Sequence, residues 1–203
     1  MTVVLVPPVR MERWVHNFVD RHGVTTLSVA DCALRGDAED GAHFVAHLPF
    51  ATPYDGAADV AGLVAASKPP ASWGVLLVRR GGFAVARFEG ATLAEHKIGQ
   101  RHVQGRTKAG GQSQQRFARR RANQARAAFE AAADHAARIL RPGPVVVGGD
   151  RAAVDDVLGD ARLARLEVCG PFLPVPDPRR KELDRAAQDA MAISVSVDNE
   201  PAA

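Results

Sequence analysis

Apolar positions in residues 9–22 (VRMERWVHNFVDRH) fall on one helical face, with Val9, Trp14, Phe18 and His22 in line and Met11 and Val15 beside them. That spacing predicts an amphipathic helix, and Gly23 is its stop signal. Residues 25–30 (TTLSVA) and 43–48 (HFVAHL) alternate instead and predict two strands. The acidic stretch 35–41 (RGDAEDG) between them reads as a turn. A short helix is expected over 59–66 (DVAGLVAA), closed by Ser67-Lys68-Pro69-Pro70, because two prolines continue neither a helix nor a central strand. A domain boundary is expected there, with residues 1–68 forming a small α+β unit.

The pattern then changes. Residues 73–78 (WGVLLV), 83–88 (FAVARF) and 92–98 (TLAEHKI) predict a three-strand meander joined by tight turns at Arg79-Arg80-Gly81-Gly82 and Glu89-Gly90. A polar, glycine-bearing stretch follows. Phe117, Arg121, Ala125, Phe129, Ala132, Ala136 and Ile139 next recur at helical spacing, predicting one long helix over 113–140 with Ser113 as N-cap. Arg141-Pro142-Gly143 ends it. Beyond lie a buried strand at 144–147 (PVVV), a helix at 151–158, a short strand at 163–168, an irregular proline-rich run at 171–178, a helix at 179–190 and a last strand at 191–197 (MAISVSV). The order predicts an α/β layered domain over 73–197, followed by a frayed tail at 198–203.

A chain of 203 residues holds one generous domain, or one domain and a small companion. Aromatics are only 5% of it, so the core must be built from Val, Leu and Ala. The start, MTVVLVPPVRMERW, lacks a basic leader and a long apolar stretch, and no apolar run approaches the ~18 residues of a membrane span. Neither a signal peptide nor a membrane partner is expected, which suits a cytoplasmic protein. Cys32 and Cys169 stand apart, without metal-ligand or redox spacing.

Charge is distributed unevenly. No Asp or Glu occurs between Glu95 and Glu130, yet that interval carries Lys97, Arg101, Arg106, Lys108, Arg116, Arg119, Arg120, Arg121 and Arg126. The overall formal charge is +3, so this block contributes +9 and the rest −6. A basic block on an otherwise acidic chain is the electrostatic footprint of a polyanion partner. Inside it, Gly110 and Gly111 free the backbone for close approach, and Gln112 offers a side-chain amide that both donates and accepts. A glutamine does not titrate and is a poor general base. It is suited to orienting a water and to stabilising negative charge that develops on an oxygen.

Gly110-Gly111-Gln112, with Ser113, Arg116, Phe117, Ala118, Arg119 and Arg121 after it, closely resembles the middle domain of eukaryotic and archaeal class-1 peptide-chain release factors. There a GGQ loop opens a helix of pattern S-x-x-R-F-A-R-x-R. The likeness also suits a Vms-type branch, bacterial relatives of the eukaryotic hydrolase that frees nascent chains from stalled large ribosomal subunits. It is specific around the loop and pattern-level over the rest of 73–197. It implies a ribonuclease-H-like fold, with the large ribosomal subunit and peptidyl-tRNA as partners. It also implies a catalytic trio Gly110, Gly111 and Gln112, served by RNA-binding Arg101, Arg106, Lys108, Arg116, Arg119, Arg120, Arg121 and Arg126.

The peptidyl-transferase RNA would supply the pocket, so no cofactor and no metal are expected. Such release factors also carry a stop-codon-reading domain before the middle domain and a GTPase-recruiting domain after it. Here residues 1–68 show no codon-reading motif and nothing follows, so codon-independent release is expected; the oligomeric state is left open, with a monomer favoured. The alternative is a ribosome- or RNA-binding factor that uses the basic helix for docking without chemistry.

Other candidates read as structure. His43 and His47 share a strand face without a third ligand nearby. Gly148-Gly149-Asp150 lacks the spacing of a phosphate loop.

Overall fold

The computed structural model describes residues 1–100 and 112–199, with side chains of 112–125 excepted. The described chain divides into two units: Met1–Pro69 together with Gln188–Ala203, and Pro70–Ala187.

The first unit begins with β1 (Thr2–Val6), a 3-10 turn at Pro8–Arg10 and α1 (Met11–His22), where Gly23 ends the helix with φ +85°. Then come β2 (Thr25–Ala30), β3 (Ala33–Ala38), β4 (His43–His47) and α2 (Val60–Ala66), whose N-cap Asp59 accepts a hydrogen bond from Gly62 N at 2.6 Å. Two strands went unread in the sequence. The run TVVLV is β1 rather than a mere apolar start. β3 occupies most of the stretch expected to be a turn. Its Gly36 pairs with Phe44 of β4, and a Cβ at Gly36 would collide with the Phe44 ring. The glycine that looks like a strand breaker is what lets Phe44 lie flat across the sheet, with Trp14 and Phe18 of α1 packed edge-on to it.

The second unit starts with β5 (Ser72–Arg79), β6 (Gly82–Glu89) and β7 (Thr92–Gln100), the expected meander. α3 (Gln112–Ile139), β8 (Gly143–Gly149), α4 (Arg151–Leu158), β9 (Leu166–Val168) and α5 (Arg180–Ala190) follow, the boundary between the units falling in the last turn of α5, after Ala187. The sheet order is β7-β6-β5-β8-β9, with β5–β8 and β8–β9 parallel and the rest antiparallel. β5 is buried from Trp73 to Val78, as a central strand covered on both faces must be. On one face, Leu76, Val78, Phe83, Val85, Val145 and Val147 pack against Ala132, Ala136 and Ile139 of α3 and against Ala153, Val154 and Val157 of α4.

The last strand departs from expectation. β10 (Ile193–Asp198) does not end the second unit. It lies between β1 and β4 in the first sheet, of order β1-β10-β4-β3-β2, antiparallel to both neighbours. Ile193, Val195 and Val197 fill the core formed by Val6, Phe44 and Ala46. Thus the second unit ends before residue 197, and the first is assembled from both ends of the chain. Asp198, expected in the tail, still pairs with His43, while residues 200–203 lie outside the described ones.

Candidate functional site

The basic stretch leaves the second sheet from β7, an edge strand, and returns as α3. Its root is tightly built. Gly82 pairs with Gln100, and a Cβ on Gly82 would stand 2.6 Å from Gly99 O. Phe83 pairs with Gly99 and lies so close over it that a Cβ at Gly99 would run into the Phe83 ring. Phe83 also faces the His135 imidazole of α3, ring centroids 5.5 Å apart. Arg138 of α3 reaches Glu95 of β7 at 3.4 Å, a second tie between the strand entering the loop and the helix leaving it.

α3 has 28 residues, a rod of about 42 Å. Among the described side chains its buried positions are Ala128, Ala132, Ala133, Ala136 and Ile139, with Leu140 just beyond. Alanines let the helix axis approach the sheet closely. Arg162 holds Asp134 at 2.8 Å and Asp160 at 2.6 Å, fastening α3 to the 3-10 turn Ala161–Leu163. The hydrogen bond from Arg162 holds the Asp160 carboxyl down at about 2. No acidic residue occupies the first turn of α3.

The expected site residues divide as follows. Gly110, Gly111, Arg101, Arg106 and Lys108 lie outside the described residues. Gln112, anticipated at the loop tip, is the first residue of α3, and Ser113, anticipated as N-cap, stands within its first turn. Helix ends shift by a residue or two with how the last turn is closed. Arg116, Arg119, Arg120 and Arg121 follow on the backbone of the same helix. At 100° per residue the backbone positions 116 and 119 take the azimuth opposite Ala128, Ala132 and Ile139 and position 120 flanks that line by about 100°, whereas position 121 shares its azimuth. Arg126 is described in full: 84% exposed, and only 3.8 Å from Glu130, a loose surface pair. It borders an open groove of about 540 Å³ with Phe129, Glu130, Ala133, Asp156, Gly159 and Asp160. The side chain of Phe117, the first residue of the expected helical spacing, also lies outside the described ones.

Sequence reading missed Phe83, Gly99 and His135. The signal available was a glycine at the last strand position but one, just before the basic loop. Burial lowers the His135 pKa, reinforced by the Lys97 and Arg138 charges and opposed by Asp134. The folded state therefore prefers the neutral ring. The stability this gives is present above the ordinary value near 6.5 and is lost as pH falls through it toward the folded value. Calorimetry from about pH 7 to about pH 5 should show the melting temperature of His135→Phe falling less steeply than that of the wild type, because the ring contact is kept and the titration removed. Parallel slopes would contradict this account.

The remaining candidates take structural roles. Gly149 adopts φ +107° beside Val78 O, and Asp150 caps α4 by accepting from Ala153 N at 3.4 Å. Cys32 is exposed and Cys169 half-buried, both free thiols. Among the described residues no helix is long and apolar enough to cross a membrane.

No curated protein matches the chain. A crystal structure of an archaeal translation termination factor, aRF1, matches at 15% identity and a TM-score of 0.39, covering 93% of this chain and 66% of that one. The chain thus spans just under two thirds of that protein's length. Residues 71–196 match the Actinobacteria/chloroflexi VLRF1 release factor family. Since that match takes in the meander, the basic block, α3 and everything up to β10, the chain belongs to the Actinobacteria/chloroflexi VLRF1 release factor family.

Proposed function

We propose that the protein is a ribosome-dependent peptidyl-tRNA hydrolase. It releases nascent chains from stalled or split large ribosomal subunits in the cytoplasm, without reading a codon. The observation that carries this reading is the nine-residue pattern from Gly110 to Arg121 at the head of a 28-residue helix, inside a segment matched to a release factor family. The strand order, three antiparallel strands continued by two parallel ones, supports a ribonuclease-H-like second unit.

The peptidyl-transferase centre supplies the pocket and peptidyl-tRNA supplies the ester. Gly110 and Gly111 let the backbone enter a crowded RNA site where a Cβ would collide. Gln112 orients the attacking water, and its amide, with the unpaired N–H groups of the first turn of α3, faces the charge that develops on the ester oxygen. Arg101, Arg106 and Lys108 neutralise phosphate along the loop. Arg116, Arg119, Arg120, Arg121 and Arg126 do so along the helix.

The test is release of labelled peptide from purified ribosome–nascent-chain complexes, set against hydrolysis of free peptidyl-tRNA. Release from the ribosomal substrate alone is the expected result. Binding to ribosomes without release would favour a non-catalytic docking factor, and equal cleavage of free peptidyl-tRNA would refute ribosome dependence.

A further inference from the structure

We propose that Phe83, Gly99 and His135 form a brace that aims α3, and that they are positioning residues for Gln112. Phe83 links two elements: its ring leaves no room for a Cβ at Gly99 of β7, and it faces the His135 imidazole of α3. No side chain larger than hydrogen fits at Gly99 while the ring stays where it is. A Cβ there must push Phe83 away, and the ring in turn bears on the helix at His135. The Arg138–Glu95 pair lies one helical turn further along and ties the same two elements at 3.4 Å. Together these contacts fix the tilt of α3 over the edge strand from which the basic loop departs.

The consequence follows from length. Gln112 and His135 lie on one unbroken helix, about 35 Å apart along its axis. A tilt of about 5° about the brace therefore moves the Gln112 end by about 3 Å. Catalytic geometry tolerates far less, since a displacement of about 1 Å can cost about a hundredfold in rate. Phosphate contacts through long, flexible arginines adjust to such a shift, so binding should survive where chemistry does not.

The chosen experiment reads the brace twice, and only its activity arm rests on the hydrolase reading. Spin labels on Thr92→Cys and Gln115→Cys, in a Cys32→Ser/Cys169→Ser background, report the distance from β7 to the head of α3 by pulsed electron resonance. Gly99→Ala should shift that distance by about 3 Å. Phe83→Leu, which shortens the side chain, should restore it when combined with Gly99→Ala. At saturating protein, Gly99→Ala should slow single-turnover release at least about tenfold, with ribosome affinity within about twofold. The double variant should return to the rate of Phe83→Leu alone.

An inactive wild type would sink the hydrolase reading while the distances still judge the brace. Unchanged distances in Gly99→Ala would overturn the brace, as would a double variant no better than Gly99→Ala. Should Gly99→Ala fail to fold, His135→Ala removes the contact on α3 instead, and its distance must shift or broaden for the proposal to stand.

Discussion

Gln112→Ala should lower peptide release by a factor of about 10² to 10³ while leaving ribosome affinity nearly unchanged, the usual cost of one lost transition-state contact. The asymmetry follows from what the side chain is. A neutral amide adds little to phosphate binding, and the basic residues on either side remain. What disappears is the group that orients water against the ester. Activity should not vanish, because the backbone N–H groups at the head of α3 persist in the variant. Gly111→Ala should also be harmful, for a backbone reason: it restricts φ and adds a methyl group where the chain must pass close to RNA. Gln114→Ala and Gln115→Ala, further into α3, are the controls and should be mild. Release at the wild-type rate by Gln112→Ala would remove the catalytic assignment, whatever the binding shows.

The long helix was legible because its periodicity runs through 28 residues and one apolar line, Phe129–Ala132–Ala136–Ile139, repeats often enough to fix the face. The meander was legible from alternation and paired glycines. The destination of the last strand was not. ISVSV announces a strand with one buried face, but a period of two says nothing about which sheet accepts it. Only the company of Val6, Phe44 and Ala46 decides that Ile193, Val195 and Val197 belong to the first core. β3 was hidden for a related reason. Asp37 and Arg35 look like turn residues until they are seen paired on the outer side of a strand at 2.6 Å, with Gly36 lying against Phe44.

At the site, the chemistry-bearing residues stood out by type and order. The residues that aim them did not, since a phenylalanine, a glycine and a histidine spread over 53 positions carry no common signature until the fold joins them.

Affinity for ribosomes should fall steeply with salt, and Arg116→Ala/Arg119→Ala/Arg120→Ala should flatten that dependence. If about six of the nine basic residues meet phosphate, affinity should drop about a thousandfold between 50 and 200 mM monovalent salt. The acidic remainder of the chain, −6 in formal charge, repels RNA elsewhere, so the basic block carries the binding alone. At 100° per residue none of the three positions falls on the azimuth of Ala128, Ala132 and Ile139, so their replacement is expected to leave the core intact. The melting temperature should hold while the log–log salt slope falls by about two to three. Arg121 makes the contrast, because its azimuth is that of Ala128 and Ala132, and Arg121→Ala should alter the slope least. Arg126, exposed and held only at 3.8 Å by Glu130, is free to turn outward and should behave like the first three. Sedimentation with large subunits across a salt series measures all of this. A triple variant with an unchanged slope would mean that α3 does not lie along RNA.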